Sequence, residues 1–256
     1  MFKIKTSRIF YASCITLLMF PFNNVFADAP FITTDPEILS PLNANLTLYG
    51  TADKSTVITT YEAPALELDL GLFKNAELDV YLPYTTDVNA EQSIRDSFPN
   101  AAGIGDIELN FKYQFIHESN HVPSVAFVPE IYVPTGDFDR GLGNGRVWYA
   151  LPLSVEKSFG DWTTYGEVGY AYNGAPNFRN FLFAGWVLEK EITQNTSLGG
   201  ELYYQGATAN FTKAYTVLNL GGSHQLTKDV NLIASIGHNI AGENHFIAYL
   251  GLTWSV

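Results

Sequence analysis

The chain has 256 residues and carries 26 Asp and Glu against 14 Lys and Arg, a formal net charge of −12. This balance argues against nucleic-acid binding, because such binding requires clustered cations. An aromatic content of 14% excludes a disordered acidic protein. Cys14 is the single cysteine and lies in the N-terminal apolar run, so a disulfide framework and a thiolate-metal site are excluded as well.

The first 27 residues have the pattern of a secretory signal peptide. Three basic residues precede an apolar run at Ile9–Phe20, and Val25–Ala27 supplies small residues for cleavage. A transmembrane anchor fits less well, because the run is short for a bilayer and ends at Pro21. We therefore expect an exported chain that begins near Asp28, with 11 basic residues against 26 acids and a net charge of −15.

The next segment, residues 28–45, contains three prolines and no sustained periodicity. We predict an irregular segment that lies either in the periplasm or as a plug inside a barrel. The barrel itself is predicted over residues 46–256, because the strand pattern described next continues to the end of the chain.

The stretch Pro64–Tyr84 predicts an antiparallel hairpin with two chemically different faces. Leucines alternate with Glu67 and Asp69 before a short turn, and apolar residues alternate with Glu77 and Asp79 after it. Alternation with period 2 is the mark of a strand. In a soluble sheet the leucines would cover a core, whereas in an outer-membrane barrel they face lipid and the acids line the interior.

The rest of the chain favours the barrel. From residue 44 onward the chain divides into twelve alternating segments, which we number in chain order. The connections after even-numbered segments are short. The two longest connections, Thr85–Gly105 and Thr135–Arg146, follow segments three and five. Short turns at one end and longer loops at the other are typical of outer-membrane barrels. We predict an all-β fold: a single antiparallel transmembrane β-barrel of twelve strands in the outer membrane of a Gram-negative bacterium. The predicted strands are Ala44–Asp53, the two arms of the hairpin, Asp106–Ile116, Ser124–Pro134, Val147–Lys157, Trp162–Asn173, Phe181–Glu191, Ser197–Gly206, Tyr215–Leu226, Val230–Ile240 and His245–Val256.

The closing segment and the tryptophans add to this prediction. The last segment carries an apolar row that ends in Trp254 and Val256, and it is similar to an outer-membrane assembly signal. Trp162 and Trp254 fall at short-turn ends and Trp148 at the opposite end, as expected of interfacial aromatic belts. Trp186, in the middle of a segment, does not fit these belts. We expect outer-membrane lipid and the barrel assembly machinery as partners.

Two prolines interrupt the alternation. Pro129 and Pro152 lie at similar heights in neighbouring predicted strands, and each removes a backbone donor from the ladder. We therefore predict a bulge or a kink at that hairpin.

Outward-facing leucines place a set of charged residues inside the barrel, and we predict that these residues line a pore. Lys112 is the one clearly inward base, and Asp69 and Asp79 are neighbours in the simplest register, so a cation or water is expected between them. Two interpretations stay open: an interior that favours cations over anions, or the polar filling of a closed barrel. The predicted pore-lining residues are Glu67, Asp69, Glu77, Asp79, Glu108, Lys112, Glu130, Glu156, Glu167, Glu189 and Glu201.

Three stretches resemble a known family: GIGDIELNFKYQF (103–115), VPEIYVPTGDFDRGLGNGR (128–146) and SFGDWTTYGEVGYAYN (158–173). They are similar to the outer-membrane β-barrel proteins named for the meta-pathway of phenol degradation. The resemblance covers nearly the whole mature chain. It implies an outer-membrane channel that admits small hydrophobic or aromatic compounds, and it transfers neither a defined substrate nor catalytic residues.

A lipid-hydrolysing barrel is the alternative from another class. His117–Asn120 resembles the His-x-Ser-Asn of outer-membrane phospholipase, but Gly-Arg does not follow and the residues fall in a predicted periplasmic turn. Ser223 and His224 are consecutive, so they point to opposite faces of a strand. His238 and His245 flank a loop without a positioned carboxylate, which makes a weak metal site.

Glycines at Gly141–Arg146 have no strand-to-helix unit around them, so a dinucleotide cradle is unsupported. They predict a loop tip, where positive φ favours Gly and Asn.

We expect no enzyme, no catalytic residue, no cofactor and no metal site. The leading hypothesis is passive passage of small solutes through an acidic lumen, with a lipid hydrolase and a closed structural barrel as the alternatives.

Overall fold

The structure is a computed structural model that describes residues 30–89 and 100–256, so the predicted signal peptide lies outside the described residues. Within these ranges, no helix is long and apolar enough to cross a bilayer. The elements are β1 (Ala44–Lys54), β2 (Ile58–Phe73), β3 (Ala76–Asn89), β4 (Ala101–Ile104), β5 (Ile107–Ile116), β6 (Ser124–Phe127), β7 (Glu130–Val133), a 3₁₀ helix (Phe138–Arg140), β8 (Trp148–Phe159), β9 (Trp162–Tyr172), β10 (Phe181–Thr193), β11 (Thr196–Gln205), β12 (Tyr215–Thr227), β13 (Val230–Gly242) and β14 (Phe246–Ser255).

The strands form a closed antiparallel barrel. β1 pairs with both β2 and β14, so the first and last strands complete the ring. β4 and β5 both pair with β3 and are two parts of one barrel strand. β6 and β7 both lie between β5 and β8 and are two parts of another. The ring therefore has twelve barrel strands, and the predicted all-β, twelve-stranded barrel is confirmed.

The two ends of the barrel differ. At one end, which we call the short-turn end, tight turns join β2 to β3, β8 to β9, β10 to β11 and β12 to β13. β1 begins and β14 ends at this end, where the Ala44 N–H donates to the Val256 carbonyl at 3.1 Å. The opposite end, the long-loop end, carries the connection 134–147 between β7 and β8.

Part of the predicted loop Thr85–Gly105 is strand, so that prediction was wrong in extent. β3 continues to Asn89 and pairs with β4, with Thr85 opposite Gly103 and Asp87 opposite Ala101. These residues lack the apolar alternation that marks a membrane crossing, yet Thr and Val still suit an extended backbone. A strand that continues beyond the lipid belt therefore gives a weak signal in the sequence.

The predicted irregularity is confirmed at Pro129 but not at Pro152. The barrel strand is interrupted between β6 and β7, at Val128 and Pro129. Pro152 lies inside the uninterrupted β8, and its carbonyl accepts a hydrogen bond from the Val128 N–H at 3.1 Å. Because the N–H and C=O of an antiparallel strand residue face the same neighbour, the missing donor of Pro152 faces the interruption. One break accommodates both prolines.

The two faces of the barrel wall have opposite chemistry. In β2, Leu66 and Leu68 are exposed on the outside, whereas Glu67 and Asp69 are buried inside. The closing strand β14 also follows the predicted parity, with Leu250 exposed. An apolar outer surface around a polar interior is the arrangement of an outer-membrane barrel.

Candidate functional site in the barrel interior

All eleven charged residues predicted for the interior lie at inward positions of their strands. The structure thus places ten carboxyl groups and one amino group on the inner face of the wall, while pore lining itself stays a prediction. Glu108 and Glu189 are half-buried. The other nine are buried: Glu67, Asp69, Glu77, Asp79, Lys112, Glu130, Glu156, Glu167 and Glu201.

Cross-strand register aligns acids and aromatic rings in one row on the inner wall. Glu67 is opposite Tyr81, and Tyr81 is opposite Glu108. Glu108 is opposite Tyr132, and Tyr132 is opposite Trp148. Directly opposite residues have Cβ atoms about 5 Å apart, so each carboxylate lies beside a ring. We call these five residues the acid–aromatic row.

A second row lies one step closer to the short-turn end. Asp69 is opposite Asp79, as predicted, Asp79 is opposite Asn110, and Asn110 is opposite Glu130. Two carboxyl groups this close repel each other when both are charged, which favours a cation or water between them. The row therefore adds three carboxyl groups to the inner wall on the short-turn side of the acid–aromatic row.

Lys112 joins the wall to the N-terminal segment. Its side chain is 0% exposed, and its Nζ lies 3.4 Å from Glu77 Oε1 and 3.9 Å from Asp35 Oδ1. The Glu77 carboxylate also accepts a hydrogen bond from the backbone N–H of Leu39. One buried cation thus compensates one acid of the barrel and one acid of the segment that precedes β1.

Residues 30–43 pass through the interior and bind its wall. The backbone N–H groups of Ile32 and Thr33 donate to the Glu201 carboxylate at 3.2 and 2.6 Å, and the Thr33 hydroxyl donates to the same group at 2.6 Å. Glu201 is completely buried. A buried carboxylate that accepts three hydrogen bonds from one segment is a strong anchor, so this segment is held at the middle of the barrel.

Two glycines of the wall make room for the segment. A Cβ on Gly185 would lie 1.7 Å from Thr33 Oγ1, and a Cβ on Gly71 would lie 2.2 Å from the Ser40 carbonyl oxygen. Neither distance is compatible with a side chain. The Thr33 side chain therefore packs directly on the backbone of β10, and the backbone at Ser40 packs directly on that of β2.

A cavity of about 310 Å³, which we call the inner chamber, lies beside the start of this segment. Five acids line it: Asp35, Glu67, Glu108, Glu130 and Glu167. Among its described lining residues there is no Lys, Arg or His. The aromatic lining residues are Phe31, Tyr81, Tyr132, Trp148, Phe181, Phe183, Tyr203 and Tyr249.

A second cavity, of about 440 Å³, lies toward the long-loop end, and we call it the outer vestibule. It shares Tyr81, Glu108, Tyr132 and Trp148 with the inner chamber. These four residues belong to the acid–aromatic row, and we call them the neck. The neck therefore lies between the two cavities and lines both of them.

The loop at 134–147 covers one side of the outer vestibule. The Asp106 carboxylate holds it, because it accepts hydrogen bonds from the N–H groups of Gly136 at 3.0 Å and Asn144 at 2.8 Å. Gly141 and Gly145 have φ angles of 80° and 66°. The positive φ angles expected at this glycine-rich loop tip are confirmed.

Trp148 lies in the interior, so its predicted place in an interfacial belt was wrong. Its ring stacks on Tyr132 with the ring centroids 3.5 Å apart and the planes 7° apart. The outward alternation of Tyr149 and Leu151 is the signal that assigns Trp148 to the inside. Trp186, which fitted no belt, lies on the outer face and is 54% exposed.

The side chains considered for catalysis do not assemble into a site. His117 is in an exposed turn with its Nε2 3.2 Å from Asn75 Oδ1. Ser223 faces inward and His224 outward. His238 is exposed on the outer face, whereas His245 is buried. Among the described residues, no group of three or more His, Cys, Asp or Glu side chains is placed to hold a metal ion.

A closed barrel with an apolar exterior and a polar interior defines an outer-membrane β-barrel. The chain belongs to the family described as "Putative MetA-pathway of phenol degradation", whose family model matches residues 54–254. The family resemblance and the outer-membrane localisation predicted from the sequence are confirmed. No curated protein matches the chain significantly.

Solved structures share the barrel at low sequence identity. The COG4313 outer membrane channel from Pseudomonas putida F1 is 17% identical with a TM-score of 0.70, and the match covers 87% of this chain and 98% of that one. The KdgM porin in complex with disordered oligogalacturonate is 9% identical with a TM-score of 0.55, covering 81% and 98%. The translocator domain of the autotransporter NalP from Neisseria meningitidis is 11% identical with a TM-score of 0.55, covering 84% and 89%. At these identities the likeness concerns the fold.

Proposed function

We propose that the protein is an outer-membrane channel for the passive passage of small molecules, including hydrophobic or aromatic ones. The observation that carries this proposal is that the outer vestibule and the inner chamber lie on either side of the four neck residues, which line both cavities. In the proposal, a solute passes these residues on its way from the long-loop end to the middle of the barrel. The family and the shared fold with an outer membrane channel support the same function.

In the proposal the eleven charged residues predicted from the sequence line the whole solute path. Glu67, Glu108, Glu130 and Glu167 line the inner chamber, and the other seven line the path from there to the short-turn end. Ten of the eleven are acids, and the one base, Lys112, lies close to Glu77 and Asp35. Carboxylates that face a narrow path attract cations and repel anions. The channel should therefore pass neutral and cationic solutes in preference to anions.

Residues 30–43 act as a plug in this proposal. They lie between the inner chamber and the short-turn end, and they are bound through Glu201 and Lys112. A solute leaves the chamber toward the periplasm when the plug moves. Since the plug is bound by a few buried polar contacts, its movement leaves the barrel wall intact.

Planar-bilayer recordings of the refolded mature protein and of a variant that lacks residues 30–40 test the proposal. The variant should show a single-channel conductance several times that of the wild type, with cations favoured over anions. A heat-dependent shift in gel mobility in both proteins would show that each barrel has folded. If the folded variant conducts no ions, the barrel has no continuous lumen and the channel function is wrong.

The proposal also treats the protein as a non-enzyme that is exported and assembled like other outer-membrane barrels. Ser119, the candidate nucleophile, lies in an exposed turn at the short-turn end and not on a lipid-facing strand. We expect no phospholipid hydrolysis above the level of a Ser119→Ala variant. For export, we expect removal of the first 27 residues, which the mass of the protein purified from outer membranes would reveal.

A further inference from the structure

The inner chamber is unusual in combining acids and aromatic rings in one small volume. Five carboxylates line it, and none of its described lining residues is basic. The nearest buried base, Lys112, lies next to Glu77 and Asp35. The electric field in the chamber therefore favours a positively charged guest.

Glu167 offers the guest a specific partner. It lines the chamber and is only 7% exposed. Its Oε2 atom has no hydrogen-bond partner among the described residues. A buried carboxylate oxygen without a partner is costly, so a ligand that donates a hydrogen bond or brings a positive charge gains most by binding there.

The aromatic residues decide which kind of cation fits. Phe183 and Tyr203 are buried residues of the chamber lining. The stacked rings of Tyr132 and Trp148 belong to the neck and line the chamber on that side. Ring faces attract organic ammonium groups through cation–π interactions, and within the part of the chain that the structure describes no group of three or more His, Cys, Asp or Glu side chains is placed to hold a metal ion. The volume of about 310 Å³ lies at the lower end of the range for small-molecule pockets. A compact guest with one ring fits this volume.

We propose that the inner chamber is a binding site for a small organic ammonium ion with an aromatic or compact apolar body, with Glu167 as its counter-charge. The ammonium group passes Glu108 in the neck, which lines both cavities, and then reaches Glu167. The apolar body packs against Phe183 and Tyr203. This inference names the substrate class of the proposed channel and rests on that function for its physiological role.

Isothermal titration calorimetry on the detergent-solubilised mature protein tests the site with three probes of similar size. These are phenethylammonium, the neutral 2-phenylethanol and the anion phenylacetate. Phenethylammonium should bind at least tenfold more tightly than 2-phenylethanol, and phenylacetate should bind most weakly. Equal affinities for the ammonium and the alcohol would overturn the inference.

Matched variants test the assigned counter-charge. Glu167→Gln should weaken phenethylammonium binding about tenfold, because a charge-assisted contact is lost, and should leave 2-phenylethanol almost unchanged. Glu191→Gln makes the same chemical change at an exposed acid that lines neither cavity and is not among the predicted pore-lining residues, and it should have no effect. Trp148→Leu should weaken the ammonium more than the alcohol. Equal effects of Glu167→Gln and Glu191→Gln would contradict the role of Glu167.

Binding and conductance separate this inference from the proposed function. Conductance without selective binding of phenethylammonium would support the channel function and contradict the ammonium site. Selective binding in a protein that conducts no ions, even without residues 30–40, would support the ammonium site and contradict the channel function.

Discussion

At the scale of single residues, the most consequential contact is that of Lys112, a fully buried cation beside the carboxylates of Glu77 and Asp35. Lys112→Met should destabilise the barrel by about 3 kcal/mol, because removal of one partner leaves buried charge uncompensated. Urea unfolding in phospholipid vesicles would measure this loss. The double variant Lys112→Met, Glu77→Gln should recover part of it, since one of the uncompensated charges is then absent.

Lys228 supplies the control for this prediction. It also lies close to an acid, Asp229 at 3.4 Å, but its side chain is 89% exposed. Lys228→Met should change the free energy of unfolding by less than about 0.5 kcal/mol. If Lys112→Met has as small an effect as Lys228→Met, the buried contact does not stabilise the barrel.

Strand parity explains which parts of the site could be predicted at this scale. Alternation alone places Glu67 and Glu201 inside, because the side-chain period of a strand is fixed. It does not identify partners that are distant in sequence, such as Thr33 for Glu201 and Asp35 for Lys112. Those contacts depend on the path of a segment without periodicity, and aperiodic segments carry no directional signal.

At the scale of elements, the contact between the N-terminal segment and β10 can be tested without a change in the segment itself. Gly185→Leu would place side-chain atoms where Thr33 now lies, since even a Cβ would approach Thr33 Oγ1 to 1.7 Å. The substitution should release Thr33 from Glu201 and raise the single-channel conductance toward that of the variant without residues 30–40. Planar-bilayer recordings measure the change.

Gly174→Leu is the matched control, because it makes the same substitution at a position where a Cβ meets no atom within 4 Å. Its conductance should equal that of the wild type. An unchanged conductance of Gly185→Leu, in a protein that still shows heat-dependent gel mobility, would mean that the segment does not limit passage at this point.

Elements were predictable where the lipid imposes a pattern and not elsewhere. The membrane-crossing parts of β2, β3 and β14 alternate because one face meets lipid and the other meets the interior. The outer part of β3 pairs with β4 beyond the apolar belt, where no such constraint acts. The alternation pattern therefore does not predict these two pieces of strand. Pro129 and Pro152 show a similar limit, because the sequence predicts that a break is needed but not which strand takes it.

At the scale of the whole molecule, residence in the membrane depends on the apolar belt, and β12 offers two matched positions to test it. Leu220 lies at the middle of the strand and Leu226 near its short-turn end, and both are exposed outward. Leu220→Arg should destabilise the barrel in phospholipid vesicles by about 3 kcal/mol, whereas Leu226→Arg should cost about 1 kcal/mol or less, because the cost of a charge falls toward the bilayer surface. Urea unfolding measures both. Equal, small losses would show that this face meets water, and the barrel would then not span a bilayer.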